Sequence, residues 1–297
     1  MSAVTTARPS SCDKAVNLGI VPGPQVLSCG RIVSATSPGG VLFAAMYRQA
    51  DGPDEMRKAV REQLRSGADF IKFMATGARS VELENPEPAQ MTREEMRAII
   101  DEAHRMGVRV AAHAEGLAGT RMAIEEGVDT VEHGLSLHRE PALLDLMAER
   151  GAVLVPTLST FHDLAERFTE KFVAALVDQA KRQLDEAYET LLAARKAGVT
   201  IALGHDSGPP GDAAIELVRM ADGGLSTAEA LQAGTRGSAT ALGLTDRGTL
   251  DVGKRADLLV VARNPLTDIR VLNDHAAIRL VVKHGVVVLD RRSQKSV

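Results

Sequence analysis

A chain of 297 residues with 44% apolar and 25% charged content can bury the core of one large α/β domain plus a small appendage, which excludes a disordered chain. Its formal charge of -4, with no long basic run, excludes the electrostatic footprint of a nucleic-acid or anionic-membrane partner. No apolar run is long enough to span a bilayer, the first residues lack a signal-peptide core, and Cys12 and Cys29 show neither CxxC nor disulfide spacing, so a reduced, cytoplasmic protein is expected.

Residues 3–7 (AVTTA) are β-branched and read as an opening strand, and residues 25–29 (QVLSC) as a second short one. Residues 30–52 read as a glycine-containing loop without periodicity. Residues 53–67 (PDEMRKAVREQLRSG) have helical apolar spacing and a glycine stop, followed by the strand ADFIKFMATG. By the two-residue period Phe70, Lys72 and Met74 share one face of that strand, which puts a lysine in an interior row. After a proline-rich loop (ENPEPAQ), Thr92 and Glu95 form a capping box for the helix TREEMRAIIDEAHRMG.

Residues 108–134 organise the rest: VRVAA ends at His113, TRMAIEEG is helical with a glycine stop, and DTVE leads to His133 and Gly134. This is a βαβ unit with a histidine just past the carboxyl end of each strand, where α/β enzymes place ligands and catalytic groups. Residues 141–150 form another helix, residues 151–159 (GAVLVPTLS) another strand, and residues 161–196 a long charged helix. The strand in VTIALGHDSG then delivers Asp206 to its carboxyl end, and Ser226 with Glu229 caps a short helix. From Gly248 onward, GTLDVGKRADLLVVARNPL and IRLVVKHGVVVLD are short strands with glycine turns and no helix between them, a small β appendage. Strand and helix alternate through the first two thirds of the chain, as in a parallel (β/α) barrel; an open doubly wound sheet is the competing fold, but no GxGxxG follows any strand.

Lys72, His113, His133 and Asp206 come from four strands and belong at one rim if the barrel closes. Imidazole and carboxylate suit zinc and related divalent ions, and an open coordination position activates water. A lysine amine made neutral by burial can add carbon dioxide and become an anionic carbamate able to bridge two metals. Each residue also has a plainer reading: a hydrogen-bonded loop histidine, an interior ion pair for Lys72, a turn cap for Asp206. Glu115 reads as a solvated loop carboxylate or as a hydrogen-bond acceptor behind His113. His138, His162 and His205 lie in loops after strands; His104 sits in the last turn of a helix and His284 in a hairpin turn.

ADFIKFMATG, VAAHAEG, VEHG, LVPTLS, ALGHDS and GTLDVGKRADLLVVARNPL together resemble the amidohydrolase superfamily, in particular its imidazolonepropionase-like and Xaa-Pro dipeptidase-like members. The resemblance implies a (β/α)8 barrel with a β-sandwich built from both chain ends and a mononuclear or binuclear metal centre. It implies Lys72 as the carbamylated bridging lysine, His113 and His133 as metal ligands, and Asp206 as metal ligand and proton acceptor. One departure stands out: the family's first strand carries a His-x-His pair, and this sequence contains none. AVTTAR resembles the second strand, so the expected fold is a (β/α)8-type TIM barrel (residues 1–245) missing its first strand, with residues 246–297 as part of a β-sandwich. The expected activity is hydrolysis of amide or cyclic amide carbon-nitrogen bonds, in small molecules or dipeptides, through metal-activated water, with one zinc ion or two. The alternative is a catalytically impaired remnant acting as an interaction module. The uncovered apolar strands of the appendage imply a homo-oligomer or association through that face.

Overall fold

The computed structural model describes residues 2–3, 15–78, 84–167, 169–171, 173–207 and 212–293. They divide into two compact units, Met1–Leu154 and Val155–Val297.

In the first unit β1 (Ser2–Ala3) pairs in parallel with β2 (Val26–Leu27); the remainder of the expected strand, residues 4–7, lies outside the described residues. The stretch 30–52, expected to be a loop, instead contains β3 (Ile32–Ser34) and β4 (Tyr47–Gln49). Three-residue strands are too short to display an alternation, and Ile32, Val33 and Ser34 are all buried, so no polar face marks β3. β5 (Ile71–Met74) pairs with β3, β6 (Val110–Ala114) with β5, and β7 (Thr130–His133) with β6, all in parallel. β8 (Val153–Val155) follows β7 in the sheet order, and its Val153 amide donates to Asp129 O at 3.0 Å.

Register explains both faces of this sheet. Val33, Phe73, Ala112 and Val131 are successive partners in one row, and all four are fully buried. The crossover helices supply the apolar cover, with Met56, Ala59 and Val60 buried on Pro53–Arg65 and Met96, Ile99, Ile100 and Ala103 on Arg93–Arg105. Thr92 and Glu95 make both bonds of the expected capping box. On the opposite face Lys72, Ala111 and Thr130 form one row, and Met74, His113 and Glu132 the next.

The second unit holds the helix Leu158–His162, a π-helical turn Asp163–Arg167, the helix Ala174–Ala197, β9 (Thr200–Ile201) and the helices Ile215–Asp222 and Thr227–Gln232. The single helix expected over 161–196 is thus divided. Asp163 is buried and faces the Arg219 guanidinium at 3.5 Å, a tertiary partner that amphipathic spacing does not encode. The helix Thr227–Gln232 carries the expected Ser226/Glu229 capping box. The β appendage appears as an antiparallel sheet of β10 (Leu258–Val261), β11 (Ile278–Lys283) and β12 (Val286–Asp290), with His284 at φ 51° and Gly285 at φ 80° in the hairpin turn. Among the described residues no helix is long and apolar enough to cross a membrane.

Candidate metal centre

In the first unit the row of Met74, His113 and Glu132 lies toward the carboxyl edge of the sheet, and the row of Lys72 stands one step nearer the amino edge on the same face. Strict alternation gives His113 and His133 different faces, because His113 is the register partner of Glu132, and Ala114 of His133. His133, however, adopts φ 70°, and Gly134 follows at φ 66° with its amide donating to Ala114 O at 2.9 Å. This left-handed turn carries the imidazole to its neighbour: His133 Nε2 lies 3.0 Å from His113 Nδ1, with the rings edge to face and their centroids 4.6 Å apart. A histidine tolerates positive φ at a modest cost, which residues around functional sites commonly bear.

The far side of His113 defines its proton. Nε2 donates to Gly77 O at 3.1 Å, which leaves Nδ1 as the lone-pair nitrogen aimed at His133. Glu115 is a correction to the solvated loop carboxylate expected from sequence: it is buried, its amide donates to Thr76 Oγ1 at 3.0 Å, and its carboxylate lies 3.5 Å from His113 Nε2. One ligand atom from each of His113, Glu115 and His133 falls within 4.8 Å of the others. Lys72 is buried and its ammonium pairs with Glu132. The two lie on the same face of the sheet in neighbouring rows, Lys72 in the row of Ala111 and Thr130 and Glu132 in the row of His113, so the lysine reaches diagonally from β5 to β7. Glu132 had no signal in the sequence beyond its place beside His133.

Asp206 belongs to the second unit. It follows β9 at φ 45°, and its carbonyl accepts from Thr160 Oγ1 at 2.8 Å. Beside it, burial and then the Arg219 charge hold the His205 imidazole below its usual pKa. The remaining histidines have structural partners or places: His104 bonds Asp129 at 2.8 Å, His162 bonds Tyr188 Oη at 2.7 Å, and His138 lies in the short 3-10 helix Leu137–Arg139.

The site's donor set fits a divalent cation. Two imidazole nitrogens 3.0 Å apart are closer than the ~4 Å that two zinc-nitrogen bonds span end to end. The family model for the amidohydrolase family matches residues 2–288. The chain belongs to the amidohydrolase family. Ochratoxinase of Aspergillus niger is 34% identical over 299 residues, covering 92% of this chain and 62% of that protein. Its crystal structure matches with a TM-score of 0.84 at 32% identity, covering 93% of this chain and 69% of that one. A Xaa-Pro dipeptidase with methionine bound in its active site matches at TM-score 0.84 and 29% identity, covering 96% and 73%. A prolidase complexed with N-methylphosphonate-L-proline gives 0.87 at 30%, covering 98% and 76%. The amidohydrolase likeness drawn from the motifs is therefore borne out, and the fold is the α/β TIM-barrel fold of these relatives. The chain spans about three fifths of the length of the curated relatives it matches.

Proposed function

We propose that this chain carries the hydrolytic centre of a metal-dependent amidohydrolase that cleaves amide or cyclic amide carbon-nitrogen bonds in small molecules, dipeptides included. The observation that carries the reading is the buried His113 Nδ1 and His133 Nε2 pair, held 3.0 Å apart by a left-handed backbone. The names of its relatives, ochratoxinase and Xaa-Pro dipeptidase, agree with small substrates.

In this reading His113, His133 and Lys72 of the first unit would hold the ion, zinc by donor type, with Glu115 accepting behind His113, and Asp206 is assigned as ligand by the family resemblance alone. The ion supplies Lewis acidity toward the amide carbonyl and toward water. The Gly77 carbonyl keeps the Nε2 proton on His113, so Nδ1, which meets His133 Nε2, is the nitrogen whose lone pair would bind. Lys72 is an ammonium paired with Glu132; after losing a proton its amine would add carbon dioxide, with release of a second proton, and the resulting carbamate would serve as a metal ligand. Asp206 takes the proton from the attacking water on a carboxylate oxygen and returns it to the leaving nitrogen. We assign residues 1–245 to the barrel and residues 246–297 to part of a composite β-sandwich.

Incubation with zinc and the dipeptide Ala-Pro should release free proline, and Asp206→Asn should slow release by about a hundredfold or more. Equal rates in the two proteins would remove Asp206 from the mechanism. No release from wild type across a panel of Xaa-Pro dipeptides and N-acyl amino acids would favour the impaired remnant.

We also propose self-association through the appendage, where Leu259, Val286 and Val288 are 50%, 63% and 58% exposed. Light scattering after size exclusion should give a mass above one chain. A concentration-independent monomer would reject the idea.

A further inference from the structure

Within the second unit, the helix Leu158–His162 starts without a side-chain cap of its own. Its N-cap residue, Thr157, is left-handed at φ 49° and makes no capping bond. The first amides of the helix are met from elsewhere. Glu216, fully buried on the helix Ile215–Asp222, accepts from Leu158 N at 2.7 Å through Oε1, and from Ser159 N at 2.8 Å and Ser159 Oγ at 2.5 Å through Oε2. A carboxylate taken out of water is costly unless its oxygens are filled, and here three donors fill them. Burial still pushes its carboxyl up to about 7, against the pull of Ser159, the Leu158 amide and Arg219.

The same helical segment reaches the Asp206 turn at two points. Thr160 Oγ1 donates to Asp206 O at 2.8 Å, and Ser207 Oγ donates to Asp163 Oδ2. Asp206 itself sits at φ 45°, a conformation uncommon outside glycine that aspartate tolerates better than most residues and that the two contacts support. We propose that Glu216 is a positioning residue: by anchoring the first turn of Leu158–His162 it holds Thr160 and Asp163 in place, and through them the left-handed backbone that aims the Asp206 carboxylate. This rests on the proton-acceptor role assigned to Asp206 above. Glu216 acts without touching substrate, and its effect travels through the helical turn to the two hydrogen bonds that reach the Asp206 segment.

The test uses the full chain and two variants. In Glu216→Gln the amide nitrogen is a donor facing donors, so at least one of the three bonds is lost; Thr160→Val removes only the hydroxyl that reaches Asp206 O. In crystals of Glu216→Gln the Thr160 to Asp206 bond should be broken and Asp206 should leave the left-handed region. With zinc and Ala-Pro as the probe, kcat should fall about tenfold or more in both variants while KM stays within roughly twofold. An unchanged Asp206 turn in Glu216→Gln, or KM rising in step with falling kcat, would overturn the proposal. Should Glu216→Gln not fold, the Asp206 turn in crystals of Thr160→Val decides, and an unmoved turn there rejects the chain of contacts. If wild type cleaves no probe, the hydrolase reading fails, and the crystallographic comparison still decides this one.

Discussion

After dialysis against metal-free buffer the folded protein should retain about one equivalent of zinc, and a His113→Ala, His133→Ala double variant should retain almost none. The physical reason is the pairing of His113 Nδ1 with His133 Nε2 at 3.0 Å. Without metal these nitrogens share one proton; both imidazoles would hold the ion once that proton is lost. Glu115 and the Gly77 carbonyl stay behind His113 in either state and keep its ring oriented. Removing both imidazoles leaves carboxylates and a lysine, a donor set that suits zinc poorly. Elemental analysis of the two dialysed proteins settles the matter, and equal zinc content in both would place the metal elsewhere. Labelled bicarbonate added to the same samples should give a carbamate carbon-13 resonance only in the zinc-loaded wild type, because without metal the Lys72 ammonium is neutralised by Glu132. A carbamate signal of equal strength in metal-free protein would show that the ion pair does not compete.

Gly116→Ala should destabilise the protein by about 3 kcal/mol, the upper end of the usual cost of overpacking. Gly116 has φ -75° and ψ 142°, a conformation any residue adopts, so the backbone angle itself is not the obstacle. The obstacle is space: a Cβ there would lie 2.2 Å from Glu87 O and 2.3 Å from Pro86 O. Both are backbone atoms and cannot rotate away, so the Pro86–Glu87 segment or the turn after Glu115 must move. Gly127→Ala is the useful contrast. Gly127 is left-handed at φ 95° with nothing within 4 Å of a new Cβ, so its cost is conformational, about 1–2 kcal/mol. Denaturant titration of both variants measures the difference, and a Gly116→Ala protein within about 1 kcal/mol of wild type would mean that the loop yields easily. Because Gly116 adjoins Glu115, the same variant should also weaken zinc retention.

Much of the framework was legible because the rules that make it are local. The capping boxes at Thr92 and Ser226, the glycine stop at Gly127 and the βαβ pattern of residues 108–134 all recur as read. The stretch 30–52 was not legible, since strands of three residues carry no period. Nor was the division of the helix expected over 161–196, whose π-helical turn Asp163–Arg167 buries Asp163 beside Arg219, a residue far along the chain.

The candidate site divides in the same way. Sequence alone singled out Lys72, His113, His133 and Asp206, since each follows or lies in a recognisable strand and each is chemically conspicuous there. It determined the family as well, through motifs spread along most of the chain. Only the tertiary structure decided how the two imidazoles meet, because alternation separates them and the left-handed backbone at His133 reunites them. Only it could show Glu115 buried, Lys72 closed on Glu132, and Glu216 holding the first turn of a distant helix. Periodicity encodes which face a side chain takes, whereas burial and partnership depend on register and on loops brought in from elsewhere in the chain, which no local window of sequence contains.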